Sequence, residues 1–338
     1  MKLTHAIVAP LCIGMILVAC QKEQFLSGNE KTPAQEKAEG QSDQDVMANF
    51  FDQNRKEDRQ YFKIRADKGG EITAESGTKL IIEANQLRNP DGSEIAGYVT
   101  VSVLEVYDRD EKVLDNFTTD AAFNPNQENQ ILTSAATFDV DMKTENGGDV
   151  ITANNEGIEV NIPTENAGGP DNEMVVWKGE ESADQPRDNA WEENGEPLEI
   201  VGDHYRLHLA APWYPINLDK RLMNWANAIH LRVGLPAGYT SANAEVFVVF
   251  DGFAYAIASM DVFDPLTNLW GEHLGLVDPG TPIHIVSVGV DPVTGGLVSN
   301  IKAVVTSVNN PNGDDLEIIP TMTPTTTAAL TAAINALP

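Results

Sequence analysis

Apolar and polar residues alternate over much of the stretch between residues 61 and 163, and this period of two predicts β-strands. Residues 98–106 set Val99, Val101 and Val103 on one face. Segments 78–82, 137–142 and 157–162 are similar short runs, separated by turn clusters such as 89–92, which reads Asn-Pro-Asp-Gly. Short alternating strands between turn residues are typical of a β-sandwich.

A second set of strand patterns lies between residues 198 and 338. Tyr205, Leu207 and Leu209 alternate with polar residues, whereas segment 246–250 is continuously apolar, as in a strand that is buried on both faces. Segments 281–288 and 301–308 predict two further strands, joined through turn residues such as Gly295 and Gly296. We therefore predict a second β-sandwich-like domain.

Two segments follow a helical period instead. Segment 42–59 carries an apolar stripe formed by Val46, Met47, Phe50 and Phe51. We expect this helix to pack on the first domain, with an amphipathic partner-binding helix as the alternative. Segment 325–337 carries a stripe formed by Leu330, Ile334 and Leu337. It must be covered by its own β domain, which we favour, or by another subunit.

The predicted fold class is therefore mainly all-β, with two β-sandwich-like domains, a short N-terminal helix and a C-terminal helix. The expected boundaries, in order, are a signal peptide at 1–19, a polar disordered linker at 20–44, a helix plus the first β domain at 45–165, an acidic connecting segment at 166–197, and the second β domain at 198–338.

The N-terminal segment has the pattern of a secretory signal. Lys2 precedes an apolar run from Ala6 to Val18, which is short for a membrane span. Leu17-Val18-Ala19-Cys20 then resembles the lipobox of bacterial lipoproteins. This resemblance implies cleavage before Cys20 and acylation of Cys20, and anchoring by two or more acyl chains is stable whereas one chain is marginal. An ordinary signal peptide with an incidental cysteine is the alternative.

The residues after Cys20 bear on localisation. Gln21-Lys22-Glu23 resembles the short signal that sends lipoproteins of the Bacteroidota to the outer face of the outer membrane, although Gln24 stands where a second acid is typical. The resemblance implies an outer-membrane lipoprotein at the cell surface, with a periplasm-facing position as the alternative.

Two further resemblances concern the folded part. Segments 69–72, 77–87 and 97–103 resemble the opening of a ZU5-type β domain, although Glu83-Ala84 stands where that family usually has a proline. Segment 213–219, from Trp213 to Asp219, resembles a Trp-x-x-(Ile/Val)-Asn-x-Asp pattern of uncharacterised Bacteroidota lipoproteins that carry the same upstream domain. These resemblances imply a fold and no activity.

Charge and cysteine content limit the partners. The formal net charge is −29, and such an acidic chain repels phosphate backbones and anionic head groups, so we expect no nucleic acid partner. The two cysteines, Cys12 and Cys20, both precede the predicted domains. Acyl chains at Cys20 are therefore expected to hold the protein at the membrane, and core burial rather than disulfides is expected to stabilise it.

Catalytic signatures are weak. His204 and His208 are four residues apart on a predicted strand, a separation of about 13 Å that is too large for one metal ion. Segment 309–315 carries oxygen ligands but lacks the twelve-residue calcium loop, and a turn explains it. No nucleophile-elbow, zinc-protease or phosphate-loop motif occurs. We predict no metal, no cofactor and no catalytic residue, although a pair of carboxylates for glycoside hydrolysis would leave no signature.

The expected function is therefore non-enzymatic. We expect a lipid-anchored cell-envelope protein with a binding or structural role, such as an accessory subunit of an outer-membrane assembly, with a protein partner. The alternative is a carbohydrate-binding or carbohydrate-processing surface lipoprotein, since all five tryptophans lie between residues 177 and 270. Trp191, Trp213 and Trp225 are the candidate contacts, and their exposure distinguishes the two hypotheses.

Overall fold

The computed structural model describes residues 44–121, 131–153, 157–179, 191–222, 227–253, 255–272 and 277–338. The expected all-β fold class is confirmed, because strands in mainly antiparallel sheets far outnumber helical residues in these ranges. Three α-helices also lie within the described ranges: α1 (Gln44–Asp58), α2 (Arg109–Leu114) and α3 (Thr327–Asn335). A short 3-10 helix spans Glu165–Ala167.

The first sandwich is built from two sheets. The six-stranded sheet has the order β1-β5-β6-β13-β9-β10 and comprises β1 (Gln60–Arg65), β5 (Tyr98–Val106), β6 (Leu132–Thr144), β9 (Val175–Gly179), β10 (Trp191–Glu193) and β13 (Ile216–Arg221). The five-stranded sheet has the order β11-β12-β8-β3-β2 and comprises β2 (Gly70–Thr73), β3 (Lys79–Ile82), β8 (Ile158–Pro163), β11 (Glu199–Val201) and β12 (His204–Leu209). A separate small ladder pairs β4 (Leu87–Arg88) with β7 (Ile151–Thr152).

The alternation of the sequence explains the core of this sandwich. Val99, Val101 and Val103 of β5 are fully buried, and they share one apolar cluster with Leu80 of β3 and Val160 of β8 from the facing sheet. Burial of one face of each strand is the arrangement that a period of two produces.

The second sandwich contains the remaining strands. Its five-stranded sheet has the order β16-β15-β19-β20-β22 and comprises β15 (Ala244–Phe250), β16 (Ile257–Ser259), β19 (Pro282–Val290), β20 (Leu297–Val305) and β22 (Thr323–Pro324). Its four-stranded sheet has the order β17-β18-β14-β21 and comprises β14 (Leu231–Gly234), β17 (Val262–Asp264), β18 (Leu269–Gly271) and β21 (Asp315–Ile318). Within this sheet β14 and β21 are parallel.

The three helices cover the outer face of this five-stranded sheet. Phe247 of β15 and Val286 of β19 form one cluster with Phe51 of α1, Val113 of α2 and Leu330 of α3. The opposite face of β15 packs into the core of the second sandwich. Burial on both faces explains why this strand is continuously apolar.

The two sandwiches are also joined by hydrogen bonds. The backbone N–H of Thr119 donates to the carbonyl of Ile257 at 2.7 Å, and the N–H of Ile257 donates to the Thr119 hydroxyl at 2.9 Å. Nearby, the N–H of Ser259 donates to the Asp120 carboxylate at 2.6 Å.

The strands place the boundary between the sandwiches later than the sequence suggests. β12 and β13 fall within the expected second domain, 198–338, yet β12 pairs with β8 and β13 pairs with β6. The expected connecting segment at 166–197 contributes β9 and β10 to the first sheet. The first sandwich therefore extends to Arg221, because backbone pairing across the sheet, which local composition does not reveal, decides where a strand belongs.

The terminal helices differ from expectation in one respect. α1 contacts the second sandwich as well as the first, through the shared cluster of Phe51 and Phe247. Leu330 and Ile334 of α3 are buried within the same chain, as favoured for this stripe, and Leu337 packs against them. The guanidinium of Arg109 in α2 also donates to the carbonyl of Leu337 at 2.6 Å. The stripe of α3 is therefore not a free docking surface.

Candidate functional site

The tryptophans do not form the open surface that the carbohydrate hypothesis requires. Trp177, Trp191 and Trp270 are each 1 % exposed. Trp213 is half-buried, and Trp225 lies outside the described residues. With three of the five covered, three tryptophans cannot line one open face.

Trp191 is a core residue, which corrects its prediction as one of the candidate ligand contacts. It lies in β10, and its ring stacks on Phe117 at 6.3 Å between centroids. The indole Nε1–H donates to the carbonyl of Thr118 at 2.7 Å. The side chain is thus an aromatic anchor with its one donor satisfied.

Trp213 borders a small groove, which we call the aromatic groove. The groove has a volume of about 190 Å³ and is lined by Trp213, Tyr214, Lys178, Asn194 and Glu196, among others. The ammonium of Lys178 lies 3.3 Å from the centroid of the Tyr214 ring, which is a cation–π contact. The Trp213 Nε1–H donates to the carbonyl of Val150 at 2.9 Å. This groove offers two partly open aromatic rings and both signs of charge.

A larger groove lies beside β1, and we call it the acidic groove. It has a volume of about 540 Å³. Arg59 is the single cation in its lining, and it forms an ion pair with Asp139. Five carboxylates also line the groove: Glu57, Asp58, Glu75, Glu105 and Glu111. Partial burial, followed by the charge of Glu57, raises the pKa of Asp58. Carboxylates that crowd in this way favour a cationic ligand.

The floor and the rim of the acidic groove are different in character. Glu105 is buried and accepts hydrogen bonds from the N–H of Ser76 at 2.8 Å and of Thr78 at 3.1 Å, so it holds the floor in place. Tyr61 on the rim is 63 % exposed. Its strand, β1, pairs with β5 and occupies the edge of the six-stranded sheet. An edge strand presents backbone groups to which an extended segment can add.

A buried polar network lies beneath α2. The ammonium of Lys112, which is fully buried, donates to the hydroxyls of Ser134 at 3.1 Å and Thr137 at 2.8 Å. Both hydroxyls donate to the side-chain carbonyl of Asn217 at 2.7 Å. The Asn217 amide nitrogen donates to Oδ2 of Asp219 at 2.5 Å. The four residues beyond Lys112 lie on the paired strands β6 and β13.

Burial governs the protonation of this network. It lowers the pKa of Lys112, and the charge of Asp219 opposes that change. Burial likewise raises the pKa of Asp219, against the charge of Lys112. The two shifts bring the pKa values together, so that the state with a neutral amine and a neutral acid is accessible beside the state in which both groups are charged.

A second buried acid lies at the end of α2. Both carboxylate oxygens of Asp115 lack a hydrogen-bond partner among the described residues. Burial, reinforced by the charges of Asp58 and Glu111, raises the pKa of Asp115 to about 8. Asp115 is therefore protonated in the folded protein at neutral pH.

The other candidate ligands do not converge. His204 lies on β12 beside Asp203, with 2.5 Å between Nδ1 and the carboxylate, while His208 is exposed farther along the strand. The carboxylate of Asp315 accepts hydrogen bonds from Ser307 and Asn309 of its own loop, so segment 309–315 is a turn. Within the described ranges, no group of three or more His, Cys, Asp or Glu side chains is arranged to bind a metal ion.

The sequence does not identify Lys112 as a site residue, because lysine is usually found at the protein surface. Asn217 and Asp219 could be identified from the sequence, since both belong to the Trp213–Asp219 pattern. Cys20, the predicted lipidation site, lies outside the described residues. Among the described residues, no helix combines the length and hydrophobicity of a membrane crossing.

Comparison with protein-family models, with curated proteins and with solved structures gave no match.

Proposed function

We propose that this chain is a lipid-anchored cell-envelope protein with a binding or structural role, and that its acidic groove docks a basic segment of a protein partner. The observation that carries this proposal is the groove itself, in which five carboxylates face one cation beside an exposed tyrosine and an edge strand. The lipid anchor at Cys20, the outer-membrane location and the accessory-subunit role rest on the sequence alone.

Three properties of the groove support a basic, extended ligand. Its excess of negative charge attracts lysine and arginine side chains and accelerates encounter. The edge of β1 accepts a strand through backbone hydrogen bonds, which do not depend on the partner's sequence. Tyr61 supplies an exposed aromatic ring, a residue type that contributes strongly to binding at interfaces.

The experiment is a pull-down of partners from detergent-solubilised membranes with the full-length protein. A variant carrying Glu57→Lys and Glu75→Lys reverses charge on two exposed groove residues. A matched control carries Glu94→Lys and Glu192→Lys, which changes the net charge equally at exposed positions outside the groove.

We expect the wild type and the control to retain a stoichiometric partner that the groove variant loses, and we expect added salt to weaken its capture. Equal capture by all three proteins contradicts docking in the groove. Capture of no protein, together with binding of all three to a glycan array, favours the carbohydrate alternative. In that case the aromatic groove at Trp213 and Tyr214 is the candidate site.

A further inference from the structure

The buried network beneath α2 contains the groups that a covalent cross-link between side chains requires. Lys112 supplies an amine, Asn217 supplies a carboxamide, and Asp219 supplies a carboxyl group next to that carboxamide. All three side chains are fully buried, so water does not compete for the amide carbon. The folded part beyond residue 20 contains no cysteine, so no disulfide ties these elements together.

We propose that Lys112 and Asn217 join through an isopeptide bond between Nζ and Cγ, and that Asp219 is the acid–base group for its formation. The bond ties the short helix α2 to strand β13 of the first sandwich.

The geometry places the reacting groups around one ring of hydrogen bonds. Lys112 Nζ lies 3.1 Å from Ser134 Oγ and 2.8 Å from Thr137 Oγ1, and both oxygens lie 2.7 Å from Asn217 Oδ1. Each of the two hydroxyls therefore bridges Lys112 Nζ and Asn217 Oδ1. Full burial of Lys112 and Asn217 keeps the two groups near each other, which lowers the entropic cost of joining them.

The two hydroxyls also prepare the carbonyl for attack. Each donates a hydrogen bond to Asn217 Oδ1, which is the oxygen that gains negative charge when an amine adds to Cγ. Two donors aimed at such an oxygen act as an oxyanion hole. On the other side, Asn217 Nδ2 lies 2.5 Å from Asp219 Oδ2, where a protonated carboxyl group can deliver its proton to the leaving nitrogen.

The protonation states fit this role. Burial lowers the pKa of Lys112 and raises that of Asp219. An uncharged amine is the nucleophilic form, and a protonated carboxyl group is the acid that the leaving group needs.

The step balances without a co-reactant. The Nζ lone pair forms the bond to Cγ, and the carbonyl π electrons move to Oδ1. Asp219 gives its proton to Nδ2 and regains the one that Nζ releases through the Ser134 hydroxyl. The electron pair on Oδ1 then re-forms the carbonyl as the Cγ–Nδ2 bond breaks and ammonia leaves. One amine and one primary amide become one secondary amide and one ammonia. Asp219 ends in the state in which it began.

The test is peptide mapping of the full-length protein, purified from membranes, denatured and digested with trypsin. The bond protects Lys112 from cleavage, so peptide 110–143 is expected to carry peptide 207–220 as a branch. The branched species has the summed mass of the two peptides minus one ammonia. Fragmentation of this species is expected to place the link at Lys112 and Asn217.

Four variants provide the comparison. Lys112→Arg and Asn217→Ala each remove one bonding partner and are expected to abolish the branched peptide. Asp219→Asn keeps both partners and is expected to slow bond formation by about 100-fold or more. Lys220→Arg changes a neighbouring, partly exposed lysine and is expected to leave the branched peptide intact.

Several outcomes overturn the proposal, and the main one does not depend on whether a variant folds. Cleavage of the wild type after Lys112, with peptide 207–220 recovered unmodified, excludes the bond. A branch at Asp219 with loss of water excludes Asn217 as the partner. Equal bond formation in the Asp219→Asn protein, measured as the fraction of branched peptide over time, excludes the role of Asp219.

Discussion

The ring of Phe51 packs edge-to-face against the ring of Phe247, with 6.4 Å between their centroids and 85° between their planes. Phe51 belongs to α1, at the start of the described chain, and Phe247 belongs to the second sandwich. The contact therefore spans the first sandwich in sequence, and it holds α1 on the face of β15.

Phe51→Ala is expected to destabilise the protein by about 3–5 kcal/mol, because Phe51 is 1 % exposed and its removal leaves a cavity between α1 and the sheet. Denaturant unfolding measures this loss. Tyr61→Ala is the matched control at an exposed aromatic position, and it is expected to change stability by less than about 0.5 kcal/mol. Equal effects of the two substitutions would contradict the packing of α1.

Leu330→Ala in α3 is expected to lower the free energy of unfolding by about 2–5 kcal/mol, since the side chain is 1 % exposed within the helix cluster. Thr326→Ala is expected to cost about 0.5–2 kcal/mol, because Thr326 Oγ1 caps the helix by accepting from the N–H of Ala329. Ala333→Ser on the exposed face is the control. A melting temperature that is unchanged in Leu330→Ala would show that α3 is not docked on its own chain.

Trp191→Phe is expected to lower the free energy of unfolding by about 1–3 kcal/mol. The substitution removes the buried hydrogen bond from Nε1 to the carbonyl of Thr118 and leaves that carbonyl unpaired. Thermal unfolding is the measurement. A neutral effect on stability would favour the rejected alternative, in which Trp191 is a ligand contact open to solvent.

Asp115→Asn is expected to stabilise the protein at high pH and to leave it unchanged at low pH. The pKa of Asp115 rises from 3.8 in the unfolded chain to about 8 in the folded protein. Between these values the unfolded chain loses the proton while the folded protein keeps it, so this residue lowers stability as the pH rises. Asparagine removes that dependence.

The expected gain from Asp115→Asn is about 5 kcal/mol at pH 8 and less than about 1 kcal/mol at pH 4, because each pKa unit is worth about 1.4 kcal/mol. Denaturant unfolding at the two pH values tests it, with Glu94→Gln as the exposed control. A gain of the same size at both pH values would show that the effect is packing and not ionisation.

The sequence predicts the elements better than it predicts their partners. The alternation in residues 98–106 identifies β5 with its bounds, and the apolar run 246–250 identifies a strand buried on both faces. One of the two partners of β13 is β6, which lies some 80 residues earlier in the chain, and no local pattern encodes that pairing.

The buried network shows why the site was only partly predictable. Segment 213–219 carries a recognisable pattern, and it contains Asn217 and Asp219. α2 has six residues, which are too few to show a helical period. It also buries Lys112, although lysine is normally an exposed residue. The pairing of Asn217 with Thr137, and a register shift between Leu218 and Asp219, decide which side chains meet Lys112.

The central claim is that the folded protein acts while tethered to a membrane through Cys20. The most direct measurement is phase partitioning of the full-length protein in a detergent that separates on warming, for the wild type and for Cys20→Ala, each after export. The account predicts that the wild type enters the detergent phase and that Cys20→Ala enters the aqueous phase. Recovery of Cys20→Ala in the detergent phase to the same extent as the wild type would contradict it.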